Sequence, residues 1–197
     1  MNVRPLHLCS VRAPGGGEAP VYAWAIDHPD GTVLVDTGMI DSTPELDREW
    51  APTLHPWPEL GGIVAVINTH LHFDHCGGNR RFEGVPIHVQ RAEYEAATGP
   101  DYVPEWVFFD GAAYELLEGD ATLMEGISVL STPGHSPGHQ AVCVETDVGL
   151  VVLAGDVTYS MRELVGGATP AIRRIHELRP QAVWLAHASR PWLPELD

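Results

Sequence analysis

Hydrophobic positions along the chain gather in short runs separated by turn residues. VYAWAI (21–26) and TVLVD (32–36) flank HPDG, and the Asp30-Gly31 pair predicts a tight hairpin turn between two strands. Thr43-Pro44 opens a short helical stretch, and the proline-rich APTLHPWP that follows reads as loop. GIVAVIN (62–68) is apolar without alternation, which predicts a strand buried on both faces. VPIHV (85–89) is another strand, and QRAEYEAA (90–97) is a helix stopped by Gly99-Pro100.

ISVLST (127–132), HQAVCVET (139–146) and LVVLAG (150–155) have the spacing of a β-meander. Thr169-Pro170 supplies an N-cap and a first-turn proline for a helix through about Leu178, with Ile172, Ile175 and Leu178 on one face. AVWLAH (182–187) is expected to close the chain as a strand. The sum is a layered α/β architecture with mixed sheets, expected to form one domain over residues 1–197. DGTVLVDTG (30–38) and DVGLVVLAGD (147–156) also echo one another, each a strand run ending in Asp and Gly.

Composition removes several classes of function. The 197-residue chain carries a net charge of −16, which argues against nucleic acid, whose phosphates need a basic patch, and disfavours an anionic membrane surface. Its basic residues are all Arg, so no lysine can serve a Schiff base, a P-loop or a Ser-Lys dyad. Cys9, Cys76 and Cys143 are odd in number and scattered, unlike a disulfide framework or a zinc finger. No apolar run reaches the ~18 residues of a membrane span. The opening MNVRPLHLCSVRAPGGG lacks the apolar core of a signal peptide, so the expected location is cytoplasmic.

The dense chemistry lies in NTHLHFDHCGGN (68–79), which sets His70, His72, Asp74 and His75 at the end of the buried run. An i, i+2 pair of histidines suits a strand end entering a loop, where alternate residues point the same way. Adjacent Asp74 and His75 are expected to diverge, which suits two neighbouring ions better than one. Imidazole and carboxylate together are a ligand set for zinc or a similar divalent ion. His7, His28, His55, His88 and His176 stand apart from such company and read as packed or solvated side chains. Further ligands are available at strand ends: His135 in STPGHSPGHQ, Asp156 in VLAGD and His187 in WLAH. Gly134-His-Ser-Pro-Gly138 imitates the G-x-S-x-G elbow of serine hydrolases. Pro137, however, stands where the oxyanion-binding N–H must come from, and proline has none.

HLHFDH with TPGH, AGD and a late histidine resembles the metallo-β-lactamase superfamily. VDTGM (35–39), THLHFDHCGGN (69–79), VQRAEYEAA (89–97), LEGD (117–120) and STPGHSPGHQ (131–140) resemble, in order and wording, its N-acyl-homoserine lactonases. The resemblance implies an αββα sandwich, with mixed sheets covered by helices, and two zinc ions per chain (iron, manganese or cobalt being possible). His70, His72 and His135 would hold one ion, Asp74, His75 and His187 the other, and Asp156 would bridge them. The implied reaction is ring opening of a small-molecule lactone by a metal-bridging hydroxide, with Asp74 or Asp156 moving the proton. Tyr159 would stand beside the substrate carbonyl and Phe73 would line the mouth. Another lactone, an ester, a thioester or a β-lactam is the alternative substrate, and the assembly is expected to be a monomer or homodimer. The segments between Asp36 and His70 and between Asp156 and His187 are shorter than the lactonase pattern, and Ala-Ser-Arg follows His187 where an acidic residue is usual. Loose acyl-chain selectivity is expected from those short segments.

Overall fold

The computed structural model describes residues 1–13 and 15–194. Two long strands, β1 (Asn2–Arg12) and β2 (Glu18–His28), run antiparallel, and β2 turns into β3 (Gly31–Val35). The hairpin turn sits one residue earlier than Asp30-Gly31 suggests, because His28 already pairs with Gly31 across Pro29-Asp30. Gly31 answers to crowding instead. Its φ is +140°, and a Cβ there would lie 2.5 Å from Val64 Cγ1 and 2.7 Å from the Gly62 carbonyl.

Helix α1 (Pro44–Glu49) begins at Thr43, whose Oγ1 accepts from the Leu46 N–H. The proline-rich segment after it is not all loop, for β4 (Thr53–Leu54) pairs with β1 at the sheet edge. β5 (Ile63–Ile67) then lies parallel to β3. Its Ala65 and Ile67 enter the core between the sheets, while Val66 packs on the outer face. Helix α2 (Phe73–Cys76), β6 (Pro86–Gln90), helix α3 (Arg91–Ala96), helix α4 (Pro104–Val107) and β7 (Ala113–Leu117) complete a seven-stranded mixed sheet of order β4-β1-β2-β3-β5-β6-β7.

The second sheet has five strands. β8 (Ala121–Met124), β9 (Ile127–Ser131), β10 (Gln140–Thr146) and β11 (Gly149–Leu153) run antiparallel, and β12 (Ala182–Trp184) adds in parallel to β11. Between β11 and β12, helices α5 (Met161–Gly166) and α6 (Pro170–Glu177) cover the outer face, burying Leu164, Ile172 and Ile175 against Val152 and Val183. Leu178 does not join them. The helix ends at Glu177, Arg179 turns the chain at φ +50°, and Leu178 stays 39% exposed.

Both sheets close on a shared core of Trp24, Ile26, Val35 and Ile67 against Val129, Val142, Val151 and Leu153. The two sheets with helices outside give the αββα layering. The sequence echo has a structural counterpart, since β3 and β11 each end an antiparallel hairpin and each gain a parallel neighbour, β5 and β12. Among the described residues, no helix is long and apolar enough to cross a membrane.

Candidate metal centre

The chain leaves β5 through Asn68 and Thr69 into His70, all buried. Alternation then sorts the next residues, with Leu71 sealed in a small apolar cluster while His70 and His72 turn together into one ligand cluster. His72 also starts α2, so Asp74 and His75 fall in its first turn. The divergence expected of these two neighbours does not occur, for Asp74 Oδ2 lies 3.8 Å from His75 Nε2. A buried hydrogen bond explains it. His75 Nδ1–H donates to Asp36 Oδ2 at 2.8 Å, which swings Nε2 back toward Asp74.

His135 arrives on the turn after β9, with Nε2 at 3.1 Å from His70 Nε2 and 3.0 Å from His72 Nδ1. Asp156 follows β11 and sets Oδ2 at 3.2 Å from His187 Nε2, 3.4 Å from His75 Nε2 and 3.6 Å from His135 Nε2. His187 lies three residues beyond β12, which stops at Trp184 rather than running on through the histidine. Pairing changes partners there: the Ala186 N–H donates to the Gly155 carbonyl, and the Ala186 carbonyl accepts from the Tyr22 N–H. His187 Nδ1–H donates to the Pro20 carbonyl at 2.9 Å, so Nε2 is left to face the carboxylates.

Seven side chains from separated segments therefore converge. Ligand atoms of His70, His72 and His135 lie within 4.8 Å of one another, as do those of Asp74, His75 and His187 and those of His70, His75 and Asp156. Asp156 faces both triads. Two buried atoms at the centre, His75 Nε2 and Asp156 Oδ1, have no hydrogen-bond partner among the described residues. Buried polar atoms are nearly always satisfied, so donor atoms aimed at one another across a common point fit a cation pair.

Charge divides the cluster. Burial lowers the pKa of His70, His72 and His135, the last to about 4, which leaves neutral rings with lone pairs ready for a metal. Burial opposes protonation of His75 and His187 as well, but the Asp156 and Asp74 carboxylates outweigh it. They raise His75 well above its usual value and His187 to about 9. Asp156 is held well below the carboxylate range, as burial is overcome by His75 and His187.

Tyr159 and Phe73 flank this cluster. The Tyr159 ring lies 5.5 Å from that of His135 and 5.3 Å from that of His187. Burial and the Asp156 carboxylate push its hydroxyl pKa upward. Phe73 packs on Trp50, ring centres 5.5 Å apart, in the wall of an open cavity of about 980 Å3 that has the cluster at its floor. Val11, Leu46 and Val103 extend the apolar wall.

Several supporting residues gave no metal signal in the sequence. Asp36 accepts from the Thr69 N–H and hydroxyl as well as from His75. His139, read from the sequence only as the start of a strand, is wholly buried and accepts from the Asp156 N–H through Nε2 at 3.1 Å. Its Nδ1–H is held by Thr132, and burial takes its pKa down to about 3. Ser136 of the false G-x-S-x-G elbow is no nucleophile, since its hydroxyl is spent on Glu93 Oε2 at 2.6 Å.

Comparison with known proteins finds relatives of one kind. A Bacillus cereus N-acyl homoserine lactonase is 37% identical over 163 residues, covering 72% of this chain; the chain spans 65% of that relative's length. An N-acyl homoserine lactonase of Agrobacterium fabrum is 28% identical, covering 84% of this chain and 78% of its own. Among solved structures, an N-acyl homoserine lactone hydrolase with the product N-hexanoyl-L-homoserine bound at its catalytic metal centre superimposes with a TM-score of 0.80. It is 29% identical and the match covers 94% of this chain and 91% of that one. The family profile itself runs from residue 16 to residue 187, ending on the last candidate ligand, and the chain belongs to the metallo-beta-lactamase superfamily.

Proposed function

We propose that the chain is a hydrolase that opens the ring of N-acyl-homoserine lactones with the help of two divalent metal ions. The observation that carries the reading is Asp156, a buried carboxylate with one bare oxygen, set between two ligand triads at the floor of a part-apolar cavity. His70, His72 and His135 would hold one ion and Asp74, His75 and His187 the other, with Asp156 shared. Zinc, or iron, manganese or cobalt in its place, supplies Lewis-acid polarisation of a carbonyl and brings the pKa of water to ~7.

The chain's own groups do the rest. Tyr159 keeps its proton at neutral pH and donates a hydrogen bond to the lactone carbonyl oxygen as negative charge develops there. Asp74 or Asp156 accepts the proton released by the attacking water and returns it to the ring oxygen as the C–O bond breaks. Phe73, Trp50, Val11, Leu46 and Val103 offer an apolar wall to the acyl chain. The lining also carries four carboxylates away from the cluster, Glu45, Glu49, Asp101 and Glu105, against a single arginine, Arg12. That cation is already directed at the Arg48 and Glu49 carbonyls. Such a lining suits a neutral lactone and disfavours polyanionic thioesters such as those of glutathione. The buried free thiols of Cys9, Cys76 and Cys143 suit the reducing cytoplasm.

The test is turnover of a panel of homoserine lactones, simple esters, glutathione thioesters and β-lactams, with metal stripped and restored. Fastest turnover of the lactones, lost and regained with metal, supports the reading. Faster turnover of any other class moves the substrate elsewhere in the superfamily, and activity indifferent to metal refutes it.

A further inference from the structure

The QRAEYEAA segment contributes no ligand and no cavity chemistry, yet it carries the most heavily hydrogen-bonded carboxylate near the site. Glu93, in α3, is fully buried. Its Oε1 accepts from the Leu71 N–H at 3.0 Å and the Tyr102 hydroxyl at 3.1 Å. Its Oε2 accepts from the Ser136 hydroxyl at 2.6 Å and the Gly138 N–H at 2.9 Å. Four donors occupy the four lone-pair positions of a carboxylate.

The identity of those donors matters. Leu71 lies between His70 and His72, Ser136 directly follows His135, and the Tyr102 ring packs on that of His72 at 5.1 Å. One side chain thus ties together the two backbone segments that deliver the three histidines. The approach is close, since a Cβ on Gly138 would lie 2.3 Å from the Glu93 nitrogen, so α3 rests directly on the His135 turn. We propose that Glu93 is a positioning residue for the three-histidine triad, fixing the distance between the His70–His72 loop and the His135 turn so that their nitrogens meet at one point. This rests on the reading that His70, His72 and His135 hold a metal. The Asp74–His75–His187 triad has no bond to Glu93 among the described residues. The effect is therefore confined to one of two sites.

Glu93→Gln tests it with little change of shape. An amide must turn its NH2 toward either the Leu71 or the Gly138 N–H, and neither backbone donor can become an acceptor. Titration of metal-stripped protein with Co2+, followed by its visible absorption and by chelator competition, resolves two binding steps. Glu93→Gln is expected to weaken one step about tenfold and leave the other unchanged, the size usual for groups that orient metal ligands. Lowered resistance to urea with both steps unchanged, or both weakened alike, means a merely structural role and overturns the proposal. Should Glu93→Gln not fold, Ser136→Ala removes one donor and is expected to weaken the same step about threefold; no change there also overturns it. A wild-type chain that binds no Co2+ refutes the metal reading and this proposal together. Normal wild-type binding with an indifferent Glu93→Gln refutes the positioning role alone.

Discussion

Asp36 and Asp156 end equivalent strands in the two sheets, each closing an antiparallel hairpin whose last strand has a parallel neighbour. Their surroundings are opposite. Asp36 is satisfied at both oxygens, with Oδ1 taking the Thr69 N–H at 2.7 Å and Oδ2 taking the Thr69 hydroxyl and His75 Nδ1–H, both at 2.8 Å. Asp156 has a bare Oδ1, and its Oδ2 faces three histidine nitrogens. The difference teaches how one strand-end device serves two purposes. A satisfied carboxylate fixes the scaffold, and one left with a free oxygen amid convergent histidine nitrogens has the chemistry of a metal ligand.

Replacing both aspartates is the strongest way to break this contrast. Asp156→Ala removes the group facing both triads, and lactone hydrolysis is expected to fall by roughly 10³-fold or more, as loss of several kcal/mol of metal-assisted stabilisation requires. Asp36→Asn leaves every proposed ligand in place, and asparagine tolerates the φ of +58° found there. His75 would lose its carboxylate partner, so affinity for one ion is expected to fall about 10- to 100-fold in a competition titration, with the other retained. Equal damage from both substitutions would erase the distinction between scaffold and ligand.

Acidity sharpens it next. In metal-free protein the raised pKa of His187 means that its protonated form stabilises the fold. That contribution is complete below the unfolded value near 6.5 and is lost as pH rises through about 9. The depressed pKa of Asp156 works at the other end, its contribution vanishing only in acid. Urea unfolding of stripped protein is therefore expected to show a loss of roughly 1–3 kcal/mol between pH 6.5 and 9. Metal-loaded protein should not follow, because ions replace those protons. The smallest expected effect belongs to Tyr159, which lies beside Asp156 but belongs to neither ligand triad. Tyr159→Phe should keep full metal content and lower kcat on a homoserine lactone about tenfold or more, less than a sole oxyanion donor would cost. Unchanged kcat at full occupancy would return the ring to a packing role.

Much of this was legible in the sequence because the ligands follow strand ends, and strands betray themselves by apolar runs. The buried run before His70, the meander and the helix at Thr169-Pro170 all lie within a residue or two of their predicted places. β1 escaped because a bulge between His7 and Cys9 shifts its register, so no steady alternation marks it. Helices α2 and α4, of 4 residues each, are too short to show a period. Asp36, Glu93 and His139 were not legible as supports of the site. An acidic residue in a turn or a helix looks the same whether its oxygens meet water or four buried donors, and only the fold brings Leu71 and Gly138 to Glu93. The expectation that Asp74 and His75 would diverge failed for the same reason, since the Asp36 bond that turns His75 comes from 39 residues away.

The central claim is that Asp156 serves two ions at once. The most direct measurement is metal content per chain, by elemental analysis after metal-replete expression, for the wild type and Asp156→Ala side by side. The account predicts close to two ions in the wild type and depletion of both in the variant. One ion in the wild type, or a variant that loses one and keeps the other at full occupancy, would contradict it.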